Sequence, residues 1–576
     1  MQLDPAELEG AAGDAEPAPA TESKALEGIH GRQHGQNSVA QLPAVLALPG
    51  VGTPPASDAP GSPYVRPAVV QPAAAVTYSA ASQRASAGGF RAGGWRHSYR
   101  LGLLVVLAVQ AGLALRLVWS NTAFEDEAEY LWYGHLEWQH WVLNGSPVPQ
   151  DFLSGAAQIY PPVGALADSL GGLVGARLLS LVFMLGATAL LYATASQLFG
   201  RRAGLFGAAM FAAVGPTADM GAWATYDPMA ICLMALASWL AVRAAHSRAS
   251  EVWLLLAAVV VVLADATKWA TALWSPIIVA LVILTAPAGW VRAAARGIRF
   301  VCYAVAIAAP ALFLVGGQFA LTAITLSTTQ RAAGSDSPLA VLWNATPLVA
   351  AVLAVALIGV VLAYRERAGR TPLLCAVLVV AVLLAPASQA HDHTTVSQYK
   401  HVVYGLWFGA MAAGYALSRA DAMNAAKGWR VGLAAVTFTG LLGLGQASGL
   451  FGFWPNSTRL IAAVERYLPA RGPMMMQGGD QMVAYYYLYH QGIRPDIMTS
   501  FAYPPDVVAT LIENHQAWMV ETDTGTGIPP GSLQKSVAGT PAGLERAGYR
   551  RVERIPWRDP GGAVGWFTVW LLARGR

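Results

Sequence analysis

Residues 124–130, FEDEAEY, place four carboxylates in five positions directly after a nearly uncharged apolar run. Adjacent carboxylates raise one another's pKa and cost stability when crowded, so this density exceeds what a solubilising loop needs. Carboxylates of this kind serve as a general base, as ligands to a hard cation, or as both. Read as a helix, the segment puts Glu125 and Glu129 on one face and Asp126, Tyr130 and Tyr133 on the next. The bland reading, an outer loop kept soluble by its charge, stands beside the chemical one.

Three further groups stand out against the oil. Asp227 opens an apolar run and is followed by Pro228, the usual make-up of a helix start, so capping competes with chemistry there. Lys268, in DATKWATALW, lies between two apolar runs without a long loop. It is either an anchor reaching for the interface beside Trp269 or an ammonium facing a phosphate. Lys400 ends a polar stretch, 388–400, that also holds His391, Asp392 and His393. The HDH triplet has metal-ligand types without a diagnostic spacing and reads as a polar loop. Cys232, Cys302 and Cys375 lie inside apolar runs and read as small hydrophobes.

The elements that must position these groups are membrane spans. The chain has 576 residues, 55% of them hydrophobic and only 12% charged, too apolar for a soluble globule of this size. Apolar runs fall at 101–120, 173–199, 203–218, 227–244, 252–266, 269–286, 300–321, 339–363, 372–387, 401–418 and 431–450. A bilayer needs about 20 apolar residues per crossing. Arginines mark alternate loops (Arg201/Arg202, Arg243/Arg248, Arg292/Arg296/Arg299, Arg365/Arg367/Arg370 and Arg419/Arg430). By the positive-inside rule these loops face the cytoplasm, which predicts eleven spans with the N-terminus inside and the C-terminus outside. Asp126, Asp227, Lys268 and Lys400 then collect on the outer side, where sparse ionisable groups suggest a site at the membrane boundary.

Residues 1–97 are rich in Ala, Pro, Gly, Ser and Gln and show no sustained period, which predicts a disordered cytoplasmic tail. Residues 98–450 form the transmembrane domain. Residues 451–576 alternate short β-prone runs (PMMMQGG, DIMTS, AWMVET, RRVERI, WFTVWLLA) with helical stretches near 480–491 and 504–516, the rhythm of a small extracytoplasmic α/β domain. The net charge of +4 is small and dispersed, so it carries no nucleic-acid footprint.

With the acidic loop, the Tyr160-Pro161-Pro162 step and Asp227 in view, the chain resembles the GT-C membrane glycosyltransferases. The likeness is to the branch that holds protein O-mannosyltransferases and the lipid A aminoarabinose transferase. It rests on FEDEAEY after the first span, on the stretch from QIYPPVGALADSLGG to LFGRRAG within residues 158–211, and on TYDPMA at the second outer loop. It extends over roughly residues 100–420. The resemblance implies a polyprenyl-phosphate-linked sugar donor, an outer-face site in the plasma membrane, and inverting transfer to a glycolipid, a cell-envelope glycan or a protein. Asp126 takes the place of the catalytic first-loop Asp, with Glu127 beside it, Asp227 as the second-loop acid and Lys268 as the later Thr-Lys.

The chemistry required is modest. The lipid phosphate is already a leaving group, so the site must deprotonate an acceptor hydroxyl and stabilise the departing phosphate. Lys268 and Lys400 are the candidate phosphate contacts, and Tyr130 and Tyr160 the candidate lining. Asp126, Glu127 and Asp227 are the carboxylates that could hold a divalent cation as additional counter-charge. Two other readings compete. A secondary transporter would need broken helices and midplane charges in repeat-related positions, and no internal repeat is visible. A lipid-linked oligosaccharide ligase or polymerase would need a larger late outer loop than 388–400.

Overall fold

The computed structural model describes residues 92–573, apart from 146–152, 154–157, 288, 315–316, 328–332, 421–424, 453, 468–472, 478–479, 494–496, 500–504, 524–532, 534–535 and 559–563. The expected disordered tail therefore lies almost wholly outside the described residues, and the first helix begins at Ala92.

Each of the eleven apolar runs contains helix. In chain order the membrane part comprises α1 (Ala92–Val118), α2 (Glu125–Leu143), α3 (Tyr160–Phe199), α4 (Arg201–Ala213), α5 (Gly215–Met220), α6 (Tyr226–Ala245) and α7 (Ser250–Thr267). A 3-10 turn, Trp269–Trp274, leads into α8 (Ser275–Leu284), followed by α9 (Trp290–Leu314), α10 (Gln318–Ser327), α11 (Pro338–Arg365), α12 (Thr371–His391), α13 (Gln398–Arg419) and α14 (Ala425–Phe451). Among the described residues eight helices are long and apolar enough to cross a membrane, and the chain is a multi-pass membrane protein. The runs 203–218, 269–286 and 401–418 are not among those eight. The first breaks at Val214, whose extended backbone separates α4 from α5. The second is short because its first turn is 3-10. The third, α13, is buried almost throughout, against α11, α4 and α12. A helix that meets protein on all sides has no need of a uniformly apolar surface, and α13 carries Lys400, His401, Tyr404 and Tyr415.

Helix α3 is too long for one crossing, since forty residues rise about 60 Å. It bends at Gly171 and Gly172, and the left-handed φ of +61° at Gly172 suits a residue without a side chain. The kink separates a short arm, 160–170, from a long segment starting at 173, where the apolar run begins. On the periphery, Val291, Ile298, Val305 and Phe313 of α9 and Leu433, Phe438 and Leu441 of α14 are exposed, as lipid-facing positions require.

Residues 458–573 form a small α/β domain: α15 (Thr458–Tyr467), β1 (Met474–Met476), α16 (Asp480–His490), β2 (Ile497–Thr499), α17 (Pro505–Glu513), β3 (Met519–Asp523), α18 (Pro541–Arg546), β4 (Tyr549–Arg558) and β5 (Val564–Leu572). Every β-prone run read from the sequence supplies a strand. The sheet order is β2-β1-β3-β5-β4, with β1 parallel to β2 and β3, and β5 antiparallel to β3 and β4. This domain shares a core with α2 and α3. Ala128 and Leu131 of α2 and Ala176 of α3 pack in one cluster with Leu460, Val464, Tyr486 and Phe567. Trp132 stacks on Tyr485 at 4.4 Å between centroids, and the Ala123 N–H donates to Tyr487 Oη at 2.8 Å. Helix α2 is thus pinned on one face, leaving the other to meet the membrane helices.

Candidate active site

Helix α2 begins with its acids because a helix N-terminus favours negative charge. Glu127, at the third helical position, accepts from the Phe124 N–H at 3.1 Å, the carboxylate half of a capping box. At the far end Asn144 adopts the left-handed conformation and closes the helix through its N–H to the Gln139 carbonyl. Gly134 lets α2 lie directly on the start of α3: a Cβ there would sit 2.0 Å from the Pro161 carbonyl oxygen.

Asp126 faces α13. Lys400, in the first turn of α13, forms an ion pair with its carboxylate. The lysine side chain is 2% exposed and the aspartate side chain 25%, so the acid keeps an opening to the outside. The Lys400 ammonium sits over the rings of Phe124 at 4.7 Å, Trp223 at 5.5 Å and Tyr399 at 5.8 Å. Cation–π attraction of this kind offsets part of the desolvation of a buried lysine.

One turn further along α13, Tyr404 donates to Asp227 Oδ1 at 3.1 Å. Residues four apart share a helix face, so Lys400 and Tyr404 together reach both acids. Asp227, in the first turn of α6, is fully buried and forms an ion pair with Lys268 at the end of α7. Lys268 lies over the Tyr226 ring at 4.8 Å. A second helix-face pair closes the arrangement from the α2 side: Tyr130, four residues after Asp126, stacks on Tyr226 with centroids 4.4 Å apart. Lys400 also lies within electrostatic reach of Asp227. Four helices, α2, α6, α7 and α13, therefore bring Asp126, Asp227, Lys268 and Lys400 into one charged network at one end of the bundle.

Glu127 does not belong to it. Arg177 of α3 holds Glu127 in a fork, Nε to Oε1 at 2.8 Å and Nη2 to Oε2 at 2.7 Å. The Ala224 N–H adds a bond to Oε1 at 2.8 Å, so with the Phe124 N–H each oxygen accepts two. Both side chains are 1% exposed. The remaining Arg177 donors go to the carbonyls of Val118 at 2.8 Å, Asn121 at 3.0 Å and Thr122 at 3.1 Å. Glu127, expected as an acid beside Asp126, is clamped by Arg177 and two backbone N–H groups. With all its acceptor capacity used and no access to solvent, it ties the end of α1, the loop after it and the α5–α6 connection to α2. The sequence carried one cue to Arg177, a lone arginine inside a 40-residue apolar helix.

Tyr160, expected to line the substrate, is fully buried in a cluster with Tyr130, Tyr133 and Leu153 at the joint of α2 and α3. The half-buried Glu125 and Glu129 flank Asp126. Burial first, and the Asp126 charge second, push Glu125 up to about 7 and Glu129 up to about 8. As to a divalent cation, Asp126, Glu127 and Asp227 each already bond a lysine or arginine through at least one carboxylate oxygen. Among the described residues these three do not converge as a ligand set. His393 bonds the Asp336 carbonyl at 2.9 Å and the Thr395 N–H bonds the Asp336 carboxylate at 2.9 Å, the polar loop that its sequence suggested.

Residues 165–315 match the family described as dolichyl-phosphate-mannose-protein mannosyltransferase. No curated protein matches the sequence. Among solved structures, the chain is similar to ArnT from Cupriavidus metallidurans bound to undecaprenyl phosphate. The TM-score is 0.53 at 16% identity, covering 83% of this chain and 98% of that one. The archaeal oligosaccharyltransferase AglB from Archaeoglobus fulgidus, in complex with an inhibitory peptide and a dolichol-phosphate, gives a TM-score of 0.49 at 12% identity, covering 83% of this chain and 75% of that one. The chain has the fold of a GT-C membrane glycosyltransferase.

Proposed function

We propose that this protein transfers a sugar from a polyprenyl-phosphate carrier to an acceptor on the outer face of the membrane, with inversion at the anomeric carbon. The observation that carries the reading is the pairing of two buried lysines with two aspartates at one end of the bundle, one pair open to the outside through Asp126. The family match over 165–315 and the likeness to ArnT, whose structure contains undecaprenyl phosphate, support a lipid phosphate as the ligand of those lysines.

The mechanism follows from the charges. Each ammonium is balanced by a carboxylate, and a buried charge left without a partner is costly. An incoming phosphate supplies an alternative partner for Lys400 and releases Asp126 from its ion pair. Asp126 then accepts the acceptor's hydroxyl proton as the oxygen attacks the anomeric carbon and the C–O bond to the phosphate breaks. One direct displacement inverts the configuration. Lys268 and Lys400 stabilise the negative charge that develops on the leaving phosphate. Asp227, held by Lys268 and Tyr404, fixes the second ammonium. Glu127 acts as a positioning residue, since it orients the helix turn that carries Asp126. The ammoniums of Lys400 and Lys268, already paired with Asp126 and Asp227, are the counter-charge assigned here.

The proposed site opens to the side bearing the α/β domain, which the arginine pattern puts outside the cytoplasm. Membranes containing the protein, incubated with a panel of polyprenyl-phosphate sugars, should consume one of them and release polyprenyl phosphate. The product should carry the opposite anomeric configuration. Retention, or no consumption across the panel, would remove this reading.

A further inference from the structure

Away from the lysine pairs, the short arm of α3 carries a buried carboxylate that the transfer chemistry does not use. Asp168 has no exposed side-chain surface, and its Oδ2 lies 2.6 Å from His135 Nε2 and 2.8 Å from His490 Nε2. These residues come from three elements: α2, α3 and the last position of α16. One ligand atom from each lies within 4.8 Å of the other two, the sole such group of histidine, cysteine and acidic side chains among the described residues.

We propose that His135, Asp168 and His490 bind a divalent transition-metal ion of the zinc class, which clips the C-terminal domain onto the helix bearing Asp126. Two imidazoles and one carboxylate are a donor set suited to such ions, leaving a fourth position for water. Tetrahedral coordination at about 2.0–2.1 Å needs donor spacings of about 3.3 Å; the two carboxylate–imidazole spacings of 2.6 and 2.8 Å would open to that as an ion enters between them. The surroundings hold the ligands in place. Tyr486 donates to Asp168 Oδ1 at 2.7 Å, and Tyr489 stacks on His135 with centroids 4.9 Å apart. Partners of this kind orient the ligands of metal sites. The His135 side chain is 8% exposed and that of His490 is 35% exposed, so an ion enters from the His490 side. On binding, each imidazole turns its Nε2 lone pair to the metal and carries its one ring proton on Nδ1, and a second proton, where the ring holds one, leaves for solvent.

The competing account is a purely hydrogen-bonded triad in which the carboxylate accepts from both imidazoles. Full-length protein, purified in detergent and stripped with a chelator, separates the two on addition of zinc alone. The site predicts stoichiometric zinc by elemental analysis and a rise in Tm with zinc. It also predicts a cobalt-substituted form with the intense visible bands of a low-coordinate centre. His490→Gln, a change at a half-exposed helix end, should weaken zinc binding by more than the roughly 10–100-fold typical of losing an outer-sphere partner. It should abolish the zinc-dependent rise in Tm while the metal-free Tm stays near wild type. Asp168→Asn supplies an independent second loss. Zinc bound equally by wild type and by the His490→Gln/Asp168→Asn double variant is adventitious and overturns the proposal, as does a Tm indifferent to zinc. Neither readout depends on sugar transfer.

Discussion

Asp126 and Glu127 are neighbours in one helical turn, yet they lie in regions of opposite character. Asp126 touches one lysine and keeps a quarter of its side chain open. Glu127 accepts four hydrogen bonds and is sealed. A carboxylate that must take up a proton needs a partner it can exchange and a path to substrate. One that must hold a loop needs neither. The 100° step between successive helical residues is enough to send the two to different faces, one toward α13 and the other toward α3.

That contrast predicts different failures. The largest effect on folding should come from the clamp. Removing one member of a buried ion pair leaves the other charge uncompensated, at a cost of about 3–5 kcal/mol. Arg177→Met, and to a similar extent Glu127→Gln, should therefore lower Tm and yield in detergent. A variant of either that keeps wild-type stability would show that the clamp is not structural. The lysines come next. Each charge-assisted contact is worth about 1.5–3 kcal/mol, or about 10–100-fold, so Lys400→Met and Lys268→Met should each raise the donor KM or slow transfer by that order. Arg at either position should restore part of the loss. A double Met variant with full activity would remove lipid phosphate from the account.

The smallest effect belongs to Glu129. Its folded pKa of about 8 lies above the ordinary 4.5, so the folded state binds the proton more tightly than the unfolded chain does. Its contribution to stability is fully present below about 4.5 and is lost as pH rises through about 8. Glu129→Gln should flatten that decline and gain relative stability at alkaline pH, with little change in transfer at neutral pH. A melting series across that range checks it, and an unchanged alkaline slope would count against the crowding.

The sequence displayed the carboxylates and the lysines because ionisable groups are conspicuous in an apolar chain. Lys268 and Lys400 were legible as rare lysines at helix ends, and the strands of the C-terminal sheet as short β-prone runs between turns. What the sequence could not display was pairing. Nothing in residues 124–130 distinguishes Asp126 from Glu127 until Arg177, fifty residues on, is folded against one of them. Tyr404 was hidden for a related reason, since an aromatic residue in an apolar helix reads as core. His135, Asp168 and His490 escaped because they come from three separate elements and form no local motif. The run 203–218 read as one helix because the break at Val214 is a matter of backbone conformation that hydropathy does not record.

The most direct test of the central claim is single-turnover transfer by purified Asp126→Asn, measured alongside donor binding and Tm. Asparagine keeps the shape of the side chain and can still accept a bond from Lys400, but it cannot accept the acceptor's proton. Loss of a general base typically costs about 10²–10⁴-fold in rate. The account predicts a fall of that size with donor binding retained and Tm unchanged. Near-normal turnover, or a loss of activity that merely follows a loss of folding, would contradict it.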